Sequence, residues 1–200
     1  NDTTVWITGG FGNSSLSILV NPMENRILYG PKLRRGVIDH CMVNIDGNNV
    51  FIISGDQHHH KDLRHTHVYK FSSNVWQDGP DLLQTALVPA CALVTLSSGK
   101  RIIVVADDLT TQYLELGAGT GWRYGPRIPY YIPQPTMVPI DDNGSALLFG
   151  FGTGTKILRY NCSNGNPNNC SWVELDLQLP FEAVGPVTML IPDEIAPSCN

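Results

Sequence analysis

Residues 37–80 decide the fold, and they read VIDHCMVNIDGNNVFIISGDQHHHKDLRHTHVYKFSSNVWQDGP. This stretch contains four short segments with strand character, and polar or glycine-containing breaks separate them: 41–45, 50–53, 67–71 and 75–76. The breaks at Asp46-Gly47 and at 72–74 suit hairpin turns, because Gly and Asn accept positive φ and Ser and Asn side chains bond to a turning backbone. The stretch therefore predicts a four-stranded up-and-down sheet. A sheet this small cannot bury both of its faces alone, so we expect it to stack against copies of itself.

The features of this stretch recur along the chain. Gly-Pro occurs at Gly30, Gly79 and Gly125, at spacings of 49 and 46 residues. Trp76 and Trp122 each stand three positions before one of these glycines. Trp172 follows 50 residues after Trp122, and Ile27 takes the place of the tryptophan in the first unit. A tyrosine precedes each tryptophan: Tyr69, Tyr113 and Tyr160. The regular spacing of these aromatics predicts that they form the core between stacked sheets.

In these features the chain resembles the kelch-repeat family, in its secreted, invertebrate-type form. The unit of that family has about 50 residues and forms one blade of a β-propeller. The resemblance implies an all-β fold, a four-bladed β-propeller with four-stranded antiparallel blades, at 5–31 plus 186–192, 37–80, 88–126 and 135–180. Residues 186–191 have the pattern of a first strand, which the first unit lacks at its start. We therefore expect the C-terminal strand to join the N-terminal blade and close the ring. A larger propeller protein trimmed at its N-terminus is the alternative, since four blades is the lower limit for this architecture.

Bulk composition limits the class of protein. Of the 200 residues, 42% are hydrophobic and 16% are charged, which is typical of one globular domain. The net charge of −5 argues against a nucleic-acid partner, because phosphate binding needs a basic surface. The longest apolar runs, such as 102–106, are too short to span a bilayer, so no membrane span is expected.

Five sequons indicate a secreted glycoprotein. The pattern Asn-X-Ser/Thr begins at Asn1, Asn13, Asn143, Asn161 and Asn169, and each lies at the terminus or in a predicted loop. Asn161 and Asn169 each precede a cysteine directly, so rapid oxidation there competes with glycan transfer. Asn13 and Asn143 are therefore expected to be the better-occupied sites.

The cysteines support an oxidising, extracellular location. Cys162 and Cys170 flank the loop between the third and fourth strands of the last unit, where facing positions lie close enough for a disulfide. Cys41 and Cys91 occupy what look like equivalent positions on first strands, and they are either small buried residues or a disulfide between adjacent blades. Cys199 is left over unless it reaches one of these or a neighbouring chain, which would make an oligomer.

The segment 56–67 holds five of the six histidines. Imidazole is the commonest protein ligand for zinc and copper. The candidate metal ligands are His58, His60, His65 and His67. The alternative is a solvated loop that binds zinc or copper only loosely, and no other cofactor is expected.

No catalytic motif is found, and one aromatic pair breaks the repeat pattern. Tyr130 and Tyr131 lie between prolines in a connection, and adjacent residues of an extended segment point to opposite sides, so at least one ring is expected to be exposed as a contact patch. These observations favour a secreted, non-catalytic binding or structural module whose partner is an extracellular protein or a glycan. The alternative is a metal-dependent enzyme, with copper or zinc, that uses the histidine-rich loop or the central channel.

Overall fold

The chain folds into four antiparallel β-sheets that follow one another along the sequence. The structure is a computed structural model, and it describes residues 4–10, 14–54, 63–141, 144–150 and 155–180. In every sheet the strands pair in chain order, each with the next, as an up-and-down sheet requires. The all-β class predicted from the sequence is confirmed.

The strand bounds are as follows. Sheet 1 contains β1 (Val5–Thr8), β2 (Ser17–Asn21) and β3 (Arg26–Tyr29). Sheet 2 contains β4 (Cys41–Asn44), β5 (Asn49–Ile53), β6 (Thr66–Lys70) and β7 (Val75–Asp78). Sheet 3 contains β8 (Ala90–Thr95), β9 (Arg101–Asp107), β10 (Thr110–Glu115) and β11 (Arg123–Tyr124). Sheet 4 contains β12 (Pro135–Asp141), β13 (Ser145–Gly150), β14 (Lys156–Cys162) and β15 (Cys170–Gln178). The predicted closing segment 186–192 lies outside the described residues.

Neighbouring sheets pack face to face through separate apolar clusters. Sheets 2 and 3 share a cluster that includes Phe51 and Ile103, and sheets 3 and 4 share one that includes Val104 and Leu148. Trp6 of sheet 1 packs against Trp76 of sheet 2 with ring centroids 5.9 Å apart. Sheets 2 and 3 therefore each pack against a neighbour on both faces, as predicted for units that cannot bury themselves.

The Gly-Pro repeat has a steric cause. The glycine N–H donates to a carbonyl at the start of the third strand of its unit: Gly30 to Ser17, Gly79 to Thr66 and Gly125 to Thr111, at 2.8–2.9 Å. A Cβ at Gly79 would lie only 2.3 Å from Thr66 Oγ1. That hydroxyl cannot simply move away, because it donates to the Pro80 carbonyl at 2.8 Å. Glycine is therefore required where the fourth strand ends against the third.

Cys41 and Cys91 form a disulfide between sheets 2 and 3, with their Cα atoms 5.9 Å apart. The two residues are not equivalent, which corrects the sequence interpretation. In sheet 2, Cys41 pairs with Ile53. The residue of sheet 3 that is equivalent to Cys41 is Ala90, which pairs with Ala106. Cys91 is one residue further along its strand and so points to the opposite face, towards sheet 2. Equivalent positions would have pointed the same way and could not have bonded.

The three tyrosines of the repeat do not all have the same cross-strand partner. Tyr69 pairs with Trp76 and Tyr160 pairs with Trp172, but Tyr113 pairs with Arg123 and not with a tryptophan. Tyr113 therefore faces sheet 4, where its hydroxyl donates to Asn168 Oδ1 at 2.7 Å. All three tyrosines are buried, so the predicted core role is confirmed: Tyr69, Tyr113 and Tyr160.

The predicted disulfide between Cys162 and Cys170 is confirmed, and it joins register partners of β14 and β15. The loop between the two cysteines has regular structure of its own. It forms two short 3-10 helices, Ser163–Gly165 and Pro167–Asn169. Gly165 is buried and its carbonyl accepts a hydrogen bond from Ser98 Oγ at 2.8 Å. Contacts to sheet 3 thus order the loop together with the disulfide.

Candidate functional site

Three clefts occupy the same place in sheets 1, 2 and 3. Each lies where the third strand of a unit begins, the fourth strand ends and the chain turns towards the next sheet. The same backbone hydrogen bond builds each turn. Its donor is the N–H of the residue three positions after the Gly-Pro glycine, and its acceptor is a carbonyl just before the third strand. The three bonds run from Leu33 to Ser15, from Leu82 to Arg64 and from Ile128 to Leu109. The three clefts therefore have equivalent frames, and their side chains can be compared position by position.

The third cleft is the largest, with a volume of about 590 Å³. Two tyrosine side chains stand on it, Tyr124 at 59% exposure and Tyr131 at 57%. Asp108 and Arg127 give it one charge of each sign. The remaining lining residues are Gln84, Leu109, Thr110, Thr111 and Gly125. The cleft thus combines exposed aromatic rings with hydrogen-bonding groups and carries little net charge.

Hydrogen bonds hold the connection that carries Tyr131. The next residue, Ile132, is fully buried, and its N–H donates to the Asp108 carbonyl at 3.4 Å. The preceding residue, Tyr130, is half-buried: its hydroxyl bonds to Glu174, and Lys156 Nζ donates to it at 3.1 Å. Of the two aromatics predicted as a contact patch, Tyr131 is therefore exposed on the cleft, while Tyr130 binds the connection to sheet 4.

The opposite wall of the third cleft comes from the connection between sheets 2 and 3. The buried amide of Gln112 holds this wall, because its Oε1 accepts from Leu83 N at 2.7 Å and from Gln84 N at 3.2 Å. Its Nε2 donates to the Gln84 carbonyl at 3.0 Å. Both acceptor positions of Oε1 and one hydrogen of Nε2 are thus used to position a backbone segment, so this wall is preformed.

Asp107 supports the same connection from beneath. Its Oδ2 accepts from Leu87 N at 2.8 Å, and burial raises the pKa of the carboxyl from 3.8 to about 6. Asp107 does not line the cleft. It therefore positions the wall rather than a ligand.

The second cleft has a volume of about 300 Å³ and contains two histidine–carboxylate pairs. His65 Nδ1 lies 3.0 Å from Asp81 Oδ1, and His67 Nδ1 lies 3.4 Å from Asp78 Oδ1. Burial lowers the pKa of His67 below its usual 6.5, although Asp78 acts in the opposite direction. Arg35, Thr66 and Gly79 complete the lining.

The predicted metal ligands are thus divided. His65 and His67 lie in the second cleft, whereas His58 and His60 lie outside the described residues. Within the described part of the chain, no group of three or more His, Cys, Asp or Glu side chains is arranged to hold a metal ion. The metal site therefore stays a prediction that the described geometry does not support.

The first cleft has a volume of about 310 Å³. Tyr29 is 84% exposed on it, and Lys32 provides a positive charge. Ser15, Leu16, Ser17 and Gly30 line the rest. Its composition is closer to that of the third cleft than to that of the second.

The other predicted sites have mixed outcomes. Asn13, Asn143 and Cys199 lie outside the described residues. Asn169 is exposed at the end of a 3-10 helix, but Asn161 lies in β14 opposite Ser171, so its expected position in a loop was wrong. The pairing of β14 with β15 continues past Asn161 to Cys162 and Cys170, whose disulfide closes the hairpin. Among the residues that the structure describes, no helix is long and apolar enough to cross a membrane.

Sequence reasoning missed the residues that make the third cleft: Tyr124, Arg127, Asp108 and Gln84. The sequence does contain a pattern that could have located them. The Gly-Pro pair is constant in three units, whereas two residues beside it vary: the one before the glycine and the one two positions after it. These two residues are Tyr29 and Lys32 in the first unit, Asp78 and Asp81 in the second, and Tyr124 and Arg127 in the third. Variable side chains at a constant backbone turn are typical of binding positions.

Comparison of the chain with protein-family models found no match, and comparison with curated proteins found none either.

Proposed function

We propose that the chain is a secreted, kelch-type four-bladed propeller that acts as a non-catalytic binding module, and that it binds a neutral oligosaccharide in the third cleft. One observation carries this proposal: Tyr124 and Tyr131 are both more than half exposed on one open, preformed cleft. A tyrosine side chain combines an apolar face with a polar tip, which suits it to a ligand that has both kinds of surface.

The chemistry of the cleft favours a glycan over a protein partner. The apolar C–H face of a hexose stacks on a tyrosine ring, and its hydroxyls both donate and accept hydrogen bonds. Asp108 accepts, Arg127 donates, and the Gln84 and Thr110 side chains do both. A protein interface would instead need a larger continuous apolar centre than two rings among polar groups. The balanced charges favour a neutral sugar over an acidic one.

The propeller is supported by the outward face of sheet 1. Val5 and Ile7 are each 49% exposed, although the residues in their place in sheet 2, Val50 and Ile52, are buried. Ile52 packs with Leu33 and Val37, which lie in the connection from sheet 1. Val173 on sheet 4 is exposed as well. An apolar sheet face needs a covering layer, and closure of the ring between the first and last units would provide it. A preceding blade in a longer protein would cover the same face.

Secretion is supported by the two disulfides, because structural disulfides form and persist in oxidising compartments.

The binding proposal is tested by isothermal titration calorimetry with cellotetraose, chitotetraose and maltotetraose, which differ in linkage and substituents. We expect at least one tetrasaccharide to bind, with Tyr131→Ala weakening the affinity about tenfold, since truncating a ring at the centre of a binding site costs more than about 1 kcal/mol. Tyr131→Phe keeps the ring and is expected to retain most of the affinity. Met23→Ala, at an exposed turn residue outside the cleft, is the control. Absence of binding by all three sugars at millimolar concentration would overturn the proposal.

A further inference from the structure

We propose that the first cleft is a second site for the same class of ligand, so that the chain is bivalent. This inference rests on the proposed function of the third cleft. It concerns different residues, and it makes a separate prediction about stoichiometry.

The equivalence of the two clefts follows from backbone hydrogen bonds. Gly30 N donates to the Ser17 carbonyl at 2.9 Å, and Gly125 N donates to the Thr111 carbonyl at 2.8 Å. Tyr29 directly precedes the first of these glycines and pairs with Ile18, the residue after Ser17. Tyr124 directly precedes the second glycine and pairs with Gln112, the residue after Thr111. The two tyrosines therefore occupy one and the same position in the repeat.

The charged residue is equivalent in the same way. Lys32 and Arg127 each stand two positions after the glycine and immediately before a buried residue, Leu33 or Ile128. That residue donates its N–H to a carbonyl just before the third strand. Both side chains are cationic, and both line their clefts. Each cleft thus offers a tyrosine ring and a cation at equivalent positions of the repeat.

The second cleft has lost this combination. Its residues at the tyrosine and cation positions are Asp78 and Asp81, and they pair with His67 and His65. The lining that the structure describes for this cleft has no tyrosine on which to stack a sugar, so we expect it not to bind the same ligand. The similarity between the first and third clefts is therefore not a general property of the turn.

Closure of the ring would leave Tyr29 accessible. Sheet 3 is packed on both faces, with sheet 2 on one side and sheet 4 on the other, and Tyr124 is still 59% exposed. The position lies at the end of the outermost strand, beyond the buried part of the face. Covering the other apolar residues of sheet 1 therefore need not cover Tyr29, which is 84% exposed.

The first site is expected to be the weaker of the two. It has about half the volume, and no described residue supplies it with a wall like the one that Gln84 and Tyr131 give the third cleft. Two sites on one rigid module would still strengthen attachment to a surface that displays many sugars, because the second contact becomes intramolecular.

The inference is tested by ¹⁹F NMR on the whole chain labelled with 3-fluorotyrosine, which contains seven tyrosines. Signals are assigned with single Tyr→Phe variants, and the protein is titrated separately with cellotetraose and chitotetraose. We expect the Tyr124 and Tyr29 signals both to shift, with the Tyr29 midpoint at higher sugar concentration. Tyr124→Ala should weaken the third site about tenfold and leave the Tyr29 midpoint unchanged. Tyr29→Asp, which copies the second cleft, also removes the Tyr29 signal, so this variant is measured by isothermal titration calorimetry. Its stoichiometry should fall from two sugars per chain to one, with the affinity of the stronger site unchanged.

The outcomes separate this inference from the proposed function. A Tyr29 signal that stays fixed while Tyr124 and Tyr131 saturate would overturn the second site and leave the proposed function intact. A Tyr29 shift that disappears in Tyr124→Ala would show a single shared site and also overturn it. If no tyrosine signal moves with either of these sugars or with maltotetraose, both proposals fail. The dispersion of the remaining signals shows that each variant is folded.

Discussion

The second and third clefts have the same backbone and opposite chemistry. In both, a Gly-Pro turn closes onto the start of the third strand through the same hydrogen bonds, from Gly79 to Thr66 and from Gly125 to Thr111. The third cleft then presents Tyr124, while the second presents Asp78. The glycine sets the frame, and the residues beside it set the chemistry. Function can therefore differ between repeats without any change in the fold.

One buried residue lies behind each of these two clefts, at equivalent positions of sheets 2 and 3, and its hydrogen bonding differs between them. In sheet 3 this residue is Gln112, whose amide bonds to the backbone of the preceding connection. In sheet 2 it is His67, which is buried and whose Nε2 has no hydrogen-bond partner among the residues that the structure describes. The Gln112 amide bonds to three backbone groups at any pH, whereas a buried imidazole favours its neutral form. The second cleft is thus expected to be the pH-sensitive one.

The largest effect is expected from breaking the link between the sheets that carry the two clefts. Replacing both Cys41 and Cys91 by Ser removes the bond that closes a 50-residue separation, which chain-entropy arguments value at about 4 kcal/mol. Urea unfolding of the oxidised proteins measures this loss. The matched control is the double replacement of Cys162 and Cys170, which span 8 residues and should cost about 2–3 kcal/mol. A smaller loss for the 41–91 pair would contradict the entropic account.

A smaller effect is expected from damaging the shared frame at one cleft. Gly79→Ala places a methyl group 2.3 Å from Thr66 Oγ1, so it should destabilise the protein by about 1–3 kcal/mol through overpacking. Gly121→Ala is the control, because nothing lies within 4 Å of a Cβ there. Thermal unfolding of the two variants compares them directly. Equal stability would mean that the glycine is not required by packing.

The smallest effects concern pH, and they should have opposite signs at the two clefts. The folded-state pKa of His67 is lowered from 6.5, so the unfolded chain takes up the proton first and stability is lost as pH falls below 6.5. The pKa of Asp107 is raised from 3.8 to about 6, so the folded chain holds the proton longer and stability is lost as pH rises between these values.

Two variants separate these contributions. His67→Gln copies Gln112 and should stabilise the protein by about 1 kcal/mol at pH 5, with a smaller effect at pH 8. Asp107→Asn should do the reverse, stabilising by about 1 kcal/mol at pH 8 and having little effect near pH 4. Chemical denaturation across this pH range tests both. Parallel curves for wild type and His67→Gln would show that His67 does not titrate with folding.

The two cysteine pairs show how far sequence reasoning reaches and where it stops. The bond between Cys162 and Cys170 could be predicted because both residues lie at the neck of one hairpin, and a hairpin is local. The bond between Cys41 and Cys91 could not be decided, because it depends on which face of its strand each residue occupies. A shift of one residue reverses that face, and only the pairing of β8 with β9 revealed the shift.

The sequence by itself determined the strands, their order within each sheet and the period of the repeat, because hairpin turns and alternating apolar residues are local signals. Only the tertiary structure decided which side chains share a cleft. Tyr124 and Tyr131 meet there because a buried isoleucine and a backbone hydrogen bond return the connection to the start of the third strand. Such contacts join residues from a strand end, a hairpin and a connection, and no local pattern in the sequence records them.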